Sequence, residues 1–168
     1  LVDGETRLTF GQSYAAARHV AAALVAGHGI KKGDRVGIAA RNSANWIIAY
    51  MGILMAGGVA TLLNGWWQGP ELCAGITDVD CTLVLADDRC AKRIAECGAT
   101  GNARVVVISH DGPPEKGLAS VLEAGGDAAT ELPELTGDDL ATILFTSGST
   151  GQSKGAYSDH RGVVQGVF

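Results

Sequence analysis

Along most of the chain, stretches with apolar residues at helical spacing alternate with short unbroken apolar runs. Thr9, followed three residues later by Gln12, has the form of a capping box. Tyr14, Ala17, Val20, Ala21, Leu24 and Val25 then fall on one helical face until Gly27 and Gly29 end the run. Asp34 to Ala40 predicts a buried strand, Asn42 or Ser43 a cap, and Ala44 to Ala56 an apolar helix. Val59 to Leu63 predicts the next strand, and Pro70 suits the first turn of a helix reaching about Asp78. The alternation continues with a strand over Thr82 to Ala86, a helix over Asp88 to Cys97 and a strand over Arg104 to Ile108. Short apolar strands separated by helices belong to parallel sheets with both faces covered. The expected fold class is therefore α/β, a mostly parallel sheet flanked by helices.

After Ser109 the pattern fades. Pro113-Pro114 interrupts the chain, a short helix is expected over Gly117 to Ala124, and Gly125 to Asp138 reads as a surface loop. Order returns with a strand over Leu140 to Phe145, and a further helix is expected to begin near Ser158 or Asp159. The organisation is thus strand and helix units over 1–110, a surface region over about 110–138, a strand and glycine-rich segment over 140–155, and the start of a helix over 159–168. Both ends look cut: the first residue is Leu1, and Gly166-Val167-Phe168 falls inside the last helix. The expectation is a partial, amino-terminal portion of a larger domain.

Composition narrows the class. Of 168 residues, 46% are hydrophobic and 18% charged, which suits a globular chain with faces meant to be covered. A formal charge of −5, with basic residues scattered, argues against a nucleic-acid surface. Trp46 to Leu63 is long enough to raise the question of a membrane span, but Gly57-Gly58 divides it into a helix-like and a strand-like half. A buried helix followed by a buried strand is expected, with no transmembrane span. Cys73, Cys81, Cys90 and Cys97 lack zinc spacing and read as buried, reduced thiols. With no signal peptide visible, they point to the cytoplasm.

The chemistry concentrates in Thr146-Ser147-Gly148-Ser149-Thr150-Gly151-Gln152-Ser153-Lys154-Gly155, directly after a predicted strand. Glycines let backbone N–H groups turn inward as an anion nest, hydroxyls donate to phosphate oxygens, and Lys154 adds a positive charge. A plain Gly/Ser linker needs neither the lysine nor the order, and the chance of such a match is on the order of 10⁻⁵ to 10⁻⁶ from ordinary residue frequencies. The segment is not a Walker loop. Counted from Gly148, Ser153 stands where that pattern needs its second glycine, and Gly155 stands where it needs a Ser or Thr. A dinucleotide fingerprint is also missing from the first strand-helix turn, which reads Ala39-Ala40-Arg41-Asn42-Ser43.

Thr146 to Gly155 instead resembles the signature [ST]-[SG]-G-[ST]-[ST]-G-x-P-K-G of the adenylate-forming (AMP-binding) enzymes, which include acyl-CoA synthetases, luciferases and peptide-synthetase adenylation domains. Ser153 occupies the proline place, a departure that loosens the loop. The resemblance continues at Ala156 to Arg161, with Asp159 replacing a hydroxyl residue before His160. Upstream it takes in Tyr14-Ala15-Ala16-Ala17, Gly33 to Ile38, Asn42 to Trp46, Ala56-Gly57-Gly58 and Leu63-Asn64. Leu62 to Trp67 looks more like an acyl-CoA synthetase than a peptide synthetase.

The resemblance implies Thr146, Ser147, Gly148, Ser149, Thr150, Gly151, Lys154 and Gly155 as nucleotide-phosphate-binding residues. It implies ATP, Mg²⁺ and coenzyme A as cofactors, a small-molecule carboxylic acid (a fatty acid or another acyl or aryl acid) as substrate, and acyl-adenylate followed by acyl-CoA as products. The family's acyl pocket, acidic magnesium ligand and lysine lid match nothing in this chain. No catalytic residue is assigned, the chain by itself is expected to be inactive, and uncovered apolar surface is expected to favour homo-oligomers. A truncated nucleotide- or partner-binding module and a peptide-synthetase adenylation domain stay open as alternatives. Three further features have plainer readings: His160 as a cap or packing residue, Trp66 and Trp67 as packing rather than an acyl tunnel, and Asp87-Asp88 as an exposed helix start.

Overall fold

The computed structural model describes residues 1–147 and 153–166. The chain opens with a two-stranded antiparallel hairpin, β1 (Val2–Asp3) and β2 (Thr6–Arg7), turning through Gly4 at φ +52°. Helix α1 (Phe10–Ala26) follows, and Thr9 and Gln12 form the expected capping box. Next come β3 (Arg35–Ala39), α2 (Ala44–Met55), β4 (Val59–Leu62), α3 (Gly69–Asp78), β5 (Leu83–Ala86), α4 (Asp88–Cys97) and β6 (Arg104–Val107). Two single-turn helices, α5 (Pro114–Gly117) and α6 (Ala119–Leu122), lead to β7 (Leu140–Ser147), β8 (Ser153–Asp159) and α7 (His160–Gln165).

Six strands form one sheet in the order β6-β5-β3-β4-β7-β8. Every pairing from β6 to β7 is parallel, and only β8 runs antiparallel, against β7. Side chains alternate across this sheet as the period of two demands. Val36 and Ile38 of β3 and Leu83 and Leu85 of β5 enter a core closed by α1, α2 and Leu118, whereas Ala39, Val84 and Ala86 enter a second core closed by α3 and α4. Each fully buried Leu or Ile contributes roughly 1.5–3 kcal/mol by leaving water. The outer strand β6 is less covered than its apolar sequence predicts, since Val105 and Val107 are 38% and 43% exposed.

Trp46 to Leu63 folds as a buried helix and strand, α2 and β4, and among the described residues no helix is long and apolar enough to cross a membrane. The helix predicted over 117–124 is instead two turns that begin earlier. Pro114 starts the first, and Leu118, at φ −110° and ψ 15°, leaves helical geometry between them. The segment over 125–138 has no regular element but is strapped down. Arg18 donates to the carbonyls of Ala128 and Thr130, and Lys32 Nζ donates to Glu134 O and pairs with Asp139 at 2.8 Å. The first strand pair and β8 went unforeseen; both are short on apolar residues.

Helices α1 and α2 meet at Gly52, where a Cβ would lie 2.5 Å from Val20 Cγ1 and 3.0 Å from the Ala17 carbonyl oxygen. Overpacking of this kind costs about 1–3 kcal/mol, more than the few tenths that Val gains over Gly in helix propensity. Gly52→Val is therefore expected to lower the urea midpoint by an amount equivalent to about 1–3 kcal/mol. Gly11, with nothing within 4 Å of its Cβ position, is the control: Gly11→Ala leaves the midpoint unchanged or raises it.

Candidate functional site

Because β3 to β7 are parallel, their carboxyl ends share one edge of the sheet, the edge at which open α/β sheets hold ligands. The candidate hairpin stands at the end of β7. That strand runs two residues beyond the predicted Phe145, so Thr146 and Ser147 belong to the ladder, and Lys154 and Gly155 lie in β8 rather than in a loop. The register pairs Ser147 with Ser153, Thr146 with Lys154, Phe145 with Gly155 and Ile143 with Tyr157. Gly148, Ser149, Thr150, Gly151 and Gln152 lie outside the described residues.

The two faces of the hairpin have different tasks. Thr146 and Lys154 are directly opposed and both exposed, and the Thr146 hydroxyl lies 3.5 Å from the Lys154 carbonyl oxygen, the outer limit of a hydrogen bond. On the opposite face, Phe145 meets Trp67 edge to face at 5.2 Å between ring centroids. At Gly155 a Cβ would lie 3.1 Å from Ile143 Cγ2 and 3.2 Å from Val79 Cγ1. The position next to Lys154 thus has a packing reason to lack a side chain. It lets β8 lie flat against the end of α3 while the lysine turns to the open face.

A cavity of about 240 Å³ opens beside this root, lined by Trp67, Glu71, Gly75, Asp78, Phe145 and Ser153 among others. Trp67 therefore packs, as expected, but Trp66 is 73% exposed with the Arg89 guanidinium 5.9 Å from its ring centroid. At the start of α7 the cap is Asp159, whose Oδ1 accepts from Gly162 N at 2.6 Å, and not His160. The His160 amide donates to Asp139 O at 3.0 Å.

A second polar group sits on the same edge of the sheet. Asp87 is only 3% exposed, which corrects the reading of Asp87-Asp88 as an exposed start, although it does cap α4. Its Oδ1 accepts from Cys90 N at 2.9 Å and its Oδ2 from Arg41 N at 3.1 Å. Burial alone would raise its pKa, but these two amides, with help from the Arg41 charge, hold the carboxyl below its ordinary value. The Arg41 guanidinium also touches the His110 ring. An aspartate just before the predicted start of α4 is a cap signal in the sequence, whereas its link to Arg41 across β3 and β5 is not.

All four cysteines are free, with Cys73, Cys81 and Cys90 buried and Cys97 partly so. Burial pushes the Cys81 and Cys90 thiols up to about 11, which keeps both in the unreactive protonated form. Among the described residues no group of three or more His, Cys, Asp or Glu side chains could hold a metal ion. A lysine and a threonine that flank the glycine- and hydroxyl-rich stretch between β7 and β8 are donors of the kind an anion requires.

A family model described as AMP-binding enzyme matches residues 1–168. Among curated proteins, 4-coumarate–CoA ligase-like 3 of Oryza sativa subsp. japonica is 30% identical over 98% of this chain and 30% of its own length. The AMB antimetabolite synthetase AmbB of Pseudomonas aeruginosa is 31% identical over 88% of this chain and 11% of its own. Among solved structures, ATP-bound MatB from Rhodopseudomonas palustris superposes with a TM-score of 0.82 at 32% identity, covering 96% of this chain and 31% of that one. The chain spans under a third of the length of each of these relatives.

Two outcomes follow from the geometry. Asp87→Ala removes the α4 cap and is expected to cost about 1–2 kcal/mol near neutral pH, measured by chemical denaturation. Because the native pKa is depressed, the charged contribution is complete above the unfolded value of about 4 and is lost as pH falls through the native value. The gap between wild type and variant should narrow below that pH. Ser153 is the first residue of β8, a strand position that accepts proline. Ser153→Pro is expected to keep the fold and raise stability by about 0.4–1 kcal/mol, read as a higher Tm.

Proposed function

Because the chain belongs to the AMP-binding enzyme family, we propose that it supplies the phosphate-gripping part of an ATP-dependent ligase, which activates a carboxylic acid as its adenylate and passes the acyl group to coenzyme A. The observation that carries this reading is the pairing of Lys154 with Thr146 on the open face of the β7–β8 hairpin, flanking the segment over 148–152. The ATP bound to MatB and the CoA-ligase name of the rice relative support the nucleotide and the thiol acceptor. A small acyl or aryl acid is the substrate class, and the cytoplasm the compartment.

In the first step a carboxylate oxygen attacks the α-phosphorus of ATP and the bond to the bridging oxygen breaks, releasing pyrophosphate. In the second, the thiol sulfur attacks the acyl carbon and AMP leaves. Negative charge gathers on the departing pyrophosphate. Lys154 and the hydroxyls of Thr146, Ser147, Ser149 and Thr150 stabilise it as donors, and Gly148 and Gly151 add no Cβ that would keep the phosphates away. Mg²⁺ bound with ATP would screen the phosphate charge. None of these residues acts as acid or base, so the chain alone grips nucleotide without turning it over.

Calorimetric titration of MgATP into the 168-residue chain tests the grip. Lys154→Ala removes a charge-assisted contact worth roughly 1.5–3 kcal/mol and should weaken ATP binding about tenfold or more while changing AMP binding little. Equal loss for ATP and AMP, or no loss for either, would overturn the assignment. ATP–pyrophosphate exchange by the chain alone is expected to be absent, and detectable exchange would show that a carboxylate-activating centre already lies within it.

A further inference from the structure

Helices α3 and α4 pack side by side on one face of the sheet, and they come closest where α3 begins. A Cβ on Gly69 would lie 2.7 Å from the Arg93 carbonyl oxygen and 3.3 Å from Cys97 Cβ. Cys73 follows Gly69 by four residues, hence on the same face of α3 one turn on. Helical side chains lean toward the amino terminus of their own helix, so the Cys73 sulfur points back over the turn that Gly69 leaves bare. Its Sγ reaches the Ile94 carbonyl at 3.8 Å, one turn before Cys97 on α4. Cys97 Cβ lies under the same bare turn of Gly69, so Cys73 and Cys97 are neighbours across the α3–α4 contact. Cys81 and Cys90 have no such partner: the Cys90 thiol reaches the Gly65 carbonyl at 3.5 Å, and Cys81 is 2% exposed.

We infer that Cys73 and Cys97 are a redox-modification site, a thiol pair that a peroxide converts into a reversible disulfide stapling α3 to α4. Cys97 is the partly exposed member, at the end of α4, and meets the oxidant first. Its sulfur attacks the peroxide O–O bond, leaving a sulfenic acid, and the displaced oxygen departs as water. The Cys73 sulfur then attacks the Cys97 sulfur, the S–O bond breaks, and the Cys73 proton leaves in a second water. Two thiols lose two hydrogens and one hydrogen peroxide becomes two waters, so the balance closes. Cys73 suits the second role because it is the buried member, which a peroxide in solvent reaches only after Cys97. A pair that oxidises on demand matches the transient disulfides of reducing compartments rather than a permanent bridge. The staple would fix α3, whose Gly75 and Asp78 line the cavity beside the hairpin root.

The test exposes the folded chain to hydrogen peroxide, quenches, alkylates under denaturing conditions, and maps proteolytic peptides by mass. The expected product joins the peptides bearing Cys73 and Cys97, two hydrogens lighter than the reduced pair, and dithiothreitol reverses it, while Cys81 and Cys90 are recovered alkylated. In Cys73→Ser, Cys97 should be trapped by dimedone as a sulfenic acid. In Cys97→Ser, oxidation of Cys73 should slow at least tenfold. A different disulfide pairing, only intermolecular links, or Cys97 still reduced at peroxide doses that oxidise free glutathione would overturn the inference. The wild-type map decides the question even if a variant fails to fold.

Discussion

Everything in this molecule is hung on the burial of β3 on both sides. A strand that must satisfy two helical layers at once cannot alternate polar with apolar residues, and β3 reads Arg-Val-Gly-Ile-Ala, with all but the first residue buried. Its larger side chains, Val36 and Ile38, face α1 and α2, while Gly37 and Ala39 leave room on the other side, where Leu63 Cδ1 would lie 3.0 Å from a Cβ at Gly37. The larger side chains thus fill the core on one side, and the smaller ones leave space on the other that Leu63 and Val84 occupy. This packing lets β4 and β5 flank β3 in parallel, and with them the order of every later strand.

The candidate site takes its orientation from the layer of α3 and α4, on the side of Gly37 and Ala39. Helix α3 packs against that side, and its end carries Val79 to the underside of Gly155 while Trp67, just before it, meets Phe145. Lys154 faces the open side because its neighbour is held on the closed one. The Arg41 and Asp87 contact works similarly between β3 and β5, where an acidic helix cap also ties down the backbone that leaves the neighbouring strand.

What could be read from the sequence follows from what burial writes into it. Strands β3, β4 and β5 and helices α1 to α4 carry enough apolar residues for their periods to show, and Thr9, Ser43 and Asp87 cap helices through local hydrogen bonds that a few neighbouring residues determine. The residues of β8, Ser-Lys-Gly-Ala-Tyr-Ser-Asp, hold no such pattern, because their strand conformation comes from the ladder with β7. The break at Leu118 is likewise tertiary: that side chain is fully buried in the core under α1 and α2. Of the candidate site, residue types and order were legible, and the division of labour between the two hairpin faces was not. Gly155 reads in sequence as one more glycine for anion contact, and its packing role appears only once Ile143, Phe145 and Val79 are seen around it.

The slot at Gly155 also bears on how the strands of this hairpin pair. Register in a hairpin is ordinarily set by its turn, and a slip of one residue turns every side chain over. Here a slip would set Lys154 or Ala156 where a Cβ lies 3.1–3.2 Å from Ile143 and Val79, a tight contact that disfavours the slipped register. The register is thus supported by residues outside the segment over 148–152. A substitution at Gly155 would therefore act on the pairing of the two strands as well as on any anion that Lys154 meets.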